Sequence, residues 1–185
     1  AGPYKGSKSE LKKDEAYKSQ KLLRKVQKIS YYGKAIQQAI DDAAAAGGGH
    51  VEIPRGTYYT GALELKSNVD LHLDGNSVLK FVRNKTNEFY PVRYSRWEGV
   101  ECMNFSPFLY AMDATDVSVT GTGTLDGAAD EFNWMPWKFG FFGETDQQIQ
   151  RERLFKMSDD GVPTEQRRFD DSISTLRPPF LQFYH

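Results

Sequence analysis

What most limits the folds open to this chain is a succession of brief apolar segments, each three to five residues long and each cut off by Gly, Asn, Asp, Pro or Ser. His50-Val51-Glu52-Ile53 stops at Pro54. Gly56-Thr57-Tyr58-Tyr59, Ala62-Leu63-Glu64-Leu65, the cleanly alternating Val69-Asp70-Leu71-His72-Leu73, and Val78-Leu79-Lys80-Phe81 follow. The rhythm resumes with Phe108-Leu109-Tyr110-Ala111, Val117-Ser118-Val119-Thr120, Gly123-Thr124-Leu125-Asp126-Gly127 and Phe180-Leu181-Gln182-Phe183-Tyr184. Segments so short and so punctuated read as strands of a sandwich, a barrel or a solenoid. One internal echo chooses among these. Asn68-Val69-Asp70-Leu71 returns as Asp116-Val117-Ser118-Val119, 48 positions later, about two turns of a solenoid whose coil holds 20-odd residues. Stacked coils pair each other's edges and share one apolar core, but an open end needs cover.

A helix stands where that cover is needed. Over residues 34–46, Ile36, Ile40, Ala43 and Ala44 fall on one face, and the alanines favour helix. Gly47-Gly48-Gly49 ends it, with Gly47 free to take the left-handed cap conformation. Further upstream, residues 8–28 read as a polar, Lys-rich helix. Two interruptions break the strand rhythm: residues 82–106, and a longer insertion at about 128–178. Loops of such length in a compact domain are usually functional or disordered.

Charge and composition narrow the partners. The net charge is −1, which gives no reason to expect nucleic acid or a membrane surface. Residues 1–34 nevertheless carry ten Lys/Arg against three Asp/Glu, a basic head that either steers a polyanion or is a solvated helix face or tail. Cys102 is the one cysteine, so no intrachain disulfide forms, and beside Met103 and Phe105 it reads as a small buried residue. Aromatic residues make up 14% and concentrate between Phe89 and Phe142, as either core or sugar-stacking surface. No apolar run has the length of a membrane span.

Several blocks together resemble a known family. Ala35-Ile36-Gln37-Gln38-Ala39-Ile40 through Gly47-Gly48-Gly49, then Val51-Glu52-Ile53-Pro54-Arg55-Gly56-Thr57-Tyr58-Tyr59-Thr60-Gly61 and Leu63 to Leu73, resemble the opening of the pectate-lyase-like superfamily. Arg96-Trp97-Glu98-Gly99-Val100-Glu101, Asn104-Phe105-Ser106-Pro107 and Gly121-Thr122-Gly123-Thr124-Leu125-Asp126-Gly127 narrow the likeness to glycoside hydrolase family 28, the polygalacturonases and rhamnogalacturonases. Arg177-Pro178-Pro179-Phe180 to Tyr184 is similar to the strand before that family's catalytic coils. The resemblance covers about residues 34–138 and 176–185. It implies an all-β, right-handed parallel β-helix whose N-terminal coils are closed by an α-helical cap. Residues 1–33 are a basic segment that departs from the family pattern, and 34–185 is the N-terminal part of the β-helix domain.

The same resemblance implies inverting hydrolysis of a pectic polysaccharide, polygalacturonan or rhamnogalacturonan, by a secreted or periplasmic enzyme without a cofactor. That chemistry needs one carboxylic acid to protonate the leaving oxygen and one carboxylate to activate water. The family's Asn-Thr-Asp, Gly-Asp-Asp, His-Gly and Arg-Ile-Lys segments do not occur here, so the catalytic aspartates are expected downstream of this chain. Of the three aspartate pairs, Asp41-Asp42 lies on the expected lid helix, and Asp159-Asp160 and Asp170-Asp171, in the polar insertion, read as solvated loop carboxylates.

Substrate-binding candidates are Arg96, Trp97, Glu98 and Glu101. An Arg can grip a uronate carboxylate and a Trp can stack on a sugar; the other reading is an Arg–Glu structural pair with a packed Trp. Trp134 and Trp137 either line a glycan cleft or anchor the long insertion. His50, His72 and His185 show no metal-ligand spacing, and His50 and His72 read as ordinary strand residues. Two rivals remain open: a polysaccharide lyase of the same fold, and a non-catalytic glycan-binding β-helix or truncated remnant. An exposed C-terminal sheet edge would associate with itself or with further chain.

Overall fold

A computed structural model describes residues 32–83 and 85–185; the helix expected over residues 8–28 lies outside the described residues. Helix α1 runs over residues 32–45. Ile36 and Ile40 are buried in the main core, which is the apolar face that the sequence spacing predicts. Its end is a Schellman motif: the Gly48 amide donates to the Ala43 carbonyl at 2.9 Å and the Gly47 amide to the Ala44 carbonyl at 3.0 Å. Gly47 and Gly48 have φ of 96° and 129°. A Cβ at Gly48 would also meet Asn68 at 2.6 Å, so conformation and close approach both demand glycine there.

The strands then recur in a fixed rotation. The first pass contributes β1 (Gly49–Ile53), β2 (Gly56–Thr60) and β3 (Leu63–Glu64). The second contributes β4 (Val69–Leu73), β5 (Ser77–Phe81) and, after an excursion, β8 (Leu109–Met112); the third contributes β9 (Ser118–Gly121), β10 (Thr124–Asp126) and β12 (Leu181–Tyr184). The excursion is a hairpin, β6 (Val92–Trp97) and β7 (Val100–Phe105), and β11 (Arg168–Phe169) lies beside β7. Four three-stranded sheets result: β1-β4-β9, β2-β5-β10, β3-β8-β12 and β6-β7-β11. All pairings are parallel except β6 with β7.

The register explains the core. Val51, Leu71 and Val119 stand opposite one another across β1, β4 and β9, and Ile53 and Leu73 form the next tier. Because successive strand residues face opposite sides, these apolar positions all point inward while His50, Asp70 and Ser118 share the outer face. The echo of residues 68–71 at 116–119 is this pairing, with Asp70 opposite Ser118; the 48 residues span one pass and not the two turns that the sequence suggests, because the β6–β7 excursion lengthens it. Asn68 and Asp116, the first residues of the two copies, both adopt left-handed φ, 60° and 54°, as short polar side chains tolerate.

Edge strand β3 is served by α1. The Gln37 amide donates to the Glu64 carbonyl at 2.9 Å and accepts from the Glu64 amide at 2.8 Å, so one side chain stands in for a neighbouring strand.

Two expectations need correction. Residues 82–106 hold the β6–β7 hairpin. Its two-residue turn, Glu98 at φ 46° and Gly99 at φ 88°, needs positive φ at both positions, and Glu is an unusual choice for the first. The 128–178 insertion is not a bare loop either. It contains α2 (Met135–Phe139) and α3 (Gln147–Asp159), the latter N-capped by Asp146, whose side chain accepts from the Gln148 amide. Leu154 of α3 builds a second apolar cluster with Cys102, Phe169 and Leu176. Cys102 is fully buried there, and burial pushes its thiol up to about 12, as befits an inert packing residue. No described helix is long and apolar enough to cross a membrane.

Candidate functional site

The β6–β7 turn brings Arg96, Trp97, Glu98 and Glu101 to one hairpin tip, but their side chains go to different partners. Arg96 and Glu101 stand opposite each other in register. Both converge on the Tyr184 hydroxyl of β12: Arg96 Nη2 donates to it at 2.6 Å, and it in turn donates to Glu101 Oε1 at 3.3 Å. The Arg96 guanidinium also lies over the Tyr184 ring, 4.9 Å from its centroid, and the Tyr94 hydroxyl is 3.0 Å from that of Tyr184. Hydrogen bonds from Tyr94 and Tyr184, aided by the Arg96 charge, hold the Glu101 carboxyl below the usual range against a smaller effect of burial. Arg96 and Glu101 thus make a cross-strand pair held to β12 by a tyrosine. Glu98 turns away to meet Arg151 of α3 at 2.7 Å, tying the hairpin tip to the insertion.

Trp97 and Trp134 share a cleft of about 630 Å³ with Asp126, Gln147, Arg177 and Phe180. Trp97 is half-buried and its Nε1 donates to the Arg177 carbonyl at 3.2 Å. Arg177 is held by Gln147, whose Oε1 accepts from Arg177 Nε at 3.0 Å. Trp134 is only 7% exposed, and its buried Nε1 has no hydrogen-bond partner among the described residues. An aromatic wall and an anchored guanidinium are elements that can bind an anionic sugar. Trp137 lies elsewhere. It is 3% exposed, packs edge-on against Trp134, and carries the Lys85 ammonium 4.3 Å from its centroid, while Lys85 is paired with Glu144. It anchors the insertion and does not line that cleft.

The aromatic-rich stretch divides along the same line. Tyr90, Phe108 and Trp134 pack against one another in the core with their rings tilted or edge-on. Phe132 and Phe142 are 67% and 73% exposed with ring centroids 5.9 Å apart.

Two site features escaped the sequence reading. Arg177 and Tyr184 read only as part of the last strand block, because their partners lie 30 to 88 positions away. More consequentially, His50, Asp70 and His72 are brought together, with potential ligand atoms all within 4.8 Å of one another. His185, the third histidine, does not join this group, and the spacing of the three in the sequence gives no sign of it. Parallel pairing of β1 with β4 supplies a proximity that linear spacing hides.

No protein-family model and no curated protein matches the chain. Among solved structures it is similar to a hyperthermoactive exopolygalacturonase from Thermotoga maritima, with 39% identity over 82% of this chain and a TM-score of 0.76. The chain spans 34% of that protein's length. A family 28 exopolygalacturonase from Yersinia enterocolitica matches 71% of this chain, and is itself covered to 26%, at 26% identity and a TM-score of 0.45.

Proposed function

We propose, on the premise that the chain is polygalacturonase-like and of the glycoside hydrolase family 28 kind, that it forms the first coils of a right-handed parallel β-helix in a pectin-degrading hydrolase. The observation that carries this reading is the 39% identity to an exopolygalacturonase over 82% of the chain. The rotation of strands through three parallel sheets supports the β-helix, and the Gln37–Glu64 amide pair supports a capping role for α1.

In this reading the acid and base aspartates lie in coils that follow His185, and the full enzyme hydrolyses polygalacturonan or rhamnogalacturonan with inversion. Such polymers are too large to enter a cell, which favours action outside the cytoplasm. The cleft between Trp97 and Trp134 is the contribution of this chain: Trp97 offers a face to a sugar ring and Arg177 a charge to a uronate.

The test uses the chain with polygalacturonate. Expected results are no new reducing ends, and slower migration in a native gel cast with polygalacturonate but not with amylose, with the retardation reduced by Trp97→Ala. Release of reducing ends by this chain alone would put the acid and base within it and overturn the assignment. Unretarded migration would remove the glycan role of the cleft.

A further inference from the structure

The outer face of β1-β4-β9 carries a polar grid in place of the scattered side chains of a solvated sheet. His50 opposes Asp70, and Asp70 opposes Ser118; His72 opposes Thr120 one tier on. His50 Nδ1 lies 2.8 Å from Asp70 Oδ2, and the two imidazole rings are 4.8 Å apart and tilted by 38°. Two imidazoles and a carboxylate converge on one spot, with His50 open to solvent.

The hydrogen bonds behind these groups fix what they offer. The Thr120 hydroxyl has one proton, which goes to the Asp70 carboxylate at 2.9 Å. Its oxygen therefore accepts from His72 Nδ1, 2.8 Å away. A neutral His72 ring then bears its lone pair on Nε2, which faces Asp74 Oδ1 at 3.6 Å. Two acceptors confront each other with no proton between them. Meanwhile Ser118 donates to Asp70 Oδ1 at 2.8 Å, leaving Oδ2 toward His50. Asp70 and His72 are thus oriented from behind by hydroxyls, which is how ligating carboxylates and histidines are held in metal sites.

We propose that His50, Asp70 and His72 form a binding site for a divalent transition metal of the zinc type, open to solvent on the His50 side. Bonds of about 2.0–2.2 Å from a tetrahedral ion set neighbouring ligand atoms roughly 3.3–3.5 Å apart, which lies within the 4.8 Å span of this cluster. Two imidazoles with one carboxylate suit zinc or nickel better than calcium or magnesium, which prefer all-oxygen shells. Water or Asp74 completes the coordination. The site is separate from the cleft and does not depend on the glycan reading.

The experiment is calorimetric titration of the metal-stripped 185-residue chain with Zn²⁺, and in parallel with Ca²⁺, at mildly alkaline pH so that the ligands are unprotonated. The chain has only three histidines, and the third, His185, pairs with Asp113 away from this sheet. His185→Ala is therefore the internal control. Expected results are saturable one-to-one Zn²⁺ binding, weakened more than about tenfold by His50→Ala or His72→Ala, about tenfold by Thr120→Val through loss of the orienting hydroxyl, and unchanged by His185→Ala. Cobalt in place of zinc should give the intense visible absorption of a four-coordinate site. The proposal is overturned if Zn²⁺ binding is not saturable, if the His50→Ala/His72→Ala double variant binds as tightly as the parent, or if Ca²⁺ binds equally well. His50 and His72 lie at the surface, so unchanged circular dichroism is expected of each variant and is checked before titration.

Discussion

Replacing Gln37 with Met removes the side chain that, among the described residues, bonds the free edge of β3, while keeping its length and apolar stem. The amide is fully used: Oε1 accepts from the Glu64 amide, and Nε2 donates to the Glu64 carbonyl and to Asp41 Oδ1 at 3.0 Å. The two bonds to the strand are worth about 0.5–1.5 kcal/mol each, and the exposed one to Asp41 about 0.2–0.5 kcal/mol. Gln37 is only half-buried, so water partly replaces the amide, and the expected loss is about 1–2 kcal/mol. Gln38→Met is the control. That residue makes only the helix-surface bond to Asp42 and should change stability by a few tenths of a kcal/mol. Gln37→Glu is a sharper probe, since a carboxylate still accepts from the Glu64 amide but repels the Glu64 carbonyl. Urea unfolding followed by circular dichroism gives the midpoints. An unchanged slope would show that stability, rather than the compactness of either state, has moved. Light scattering should show Gln37→Met associating sooner, because an unserved strand edge recruits other chains. If Gln37→Met and Gln38→Met unfold at the same midpoint, α1 does not protect the edge and the capping argument fails.

Leu71 is fully buried at the centre of β4 between Val51 and Val119, and Leu71→Ala should cost about 2–5 kcal/mol in the same urea titration; a loss under 1 kcal/mol would mean that this sheet does not bound the core. Hydrogen bonds from Lys80 and the Ala128 amide hold Asp126 below its ordinary 3.8 despite some burial. A depressed folded value stabilises fully above the unfolded one and fades as pH falls through the folded one, so the urea midpoint should drop between about pH 5 and pH 2. Lys80→Met should flatten that drop, and an unaltered pH profile in the variant would exclude the pair as its source.

Strands were legible wherever local pattern and tertiary role agreed. Val69–Leu73 alternates because one face packs in the core, and its bounds follow from sequence alone. Pro54 and Asn68 mark ends because Pro cannot extend a ladder and Asn tolerates left-handed φ. What escaped notice was what the pattern does not encode. Helix α3 has Gln147, Gln150 and Leu154 as its buried residues, so no apolar stripe betrays it; only the Asp146 cap does. The β6–β7 hairpin hides behind a Glu-Gly turn where Asn-Gly or Asp-Gly would have advertised it. For Arg96 and Glu101, the residue types suggested either a substrate grip or a pair, and only the arrival of Tyr184 from β12 decided the geometry.

The His50-Asp70-His72 cluster shows why a motif search by short spacing fails in this architecture. Ligand sets on a helix or a tight turn lie a few positions apart, because chain and space advance together there. Here β1 pairs with β4 and β4 with β9, so the neighbours of His50 across the ladder are residues 20 and 22 positions on, and those of Asp70 include residues 48 and 50 positions on. The 48-residue echo already held this information, since it states that Asp70 and Ser118 occupy equivalent places. Folding the sequence at the interval of the β1–β4 pair aligns His50 with Asp70 directly. Asp70 and His72, two apart on one strand, then fall on the same face as His50. Chemistry on such parallel sheets is written across strands, and its legible unit is the offset between paired strands.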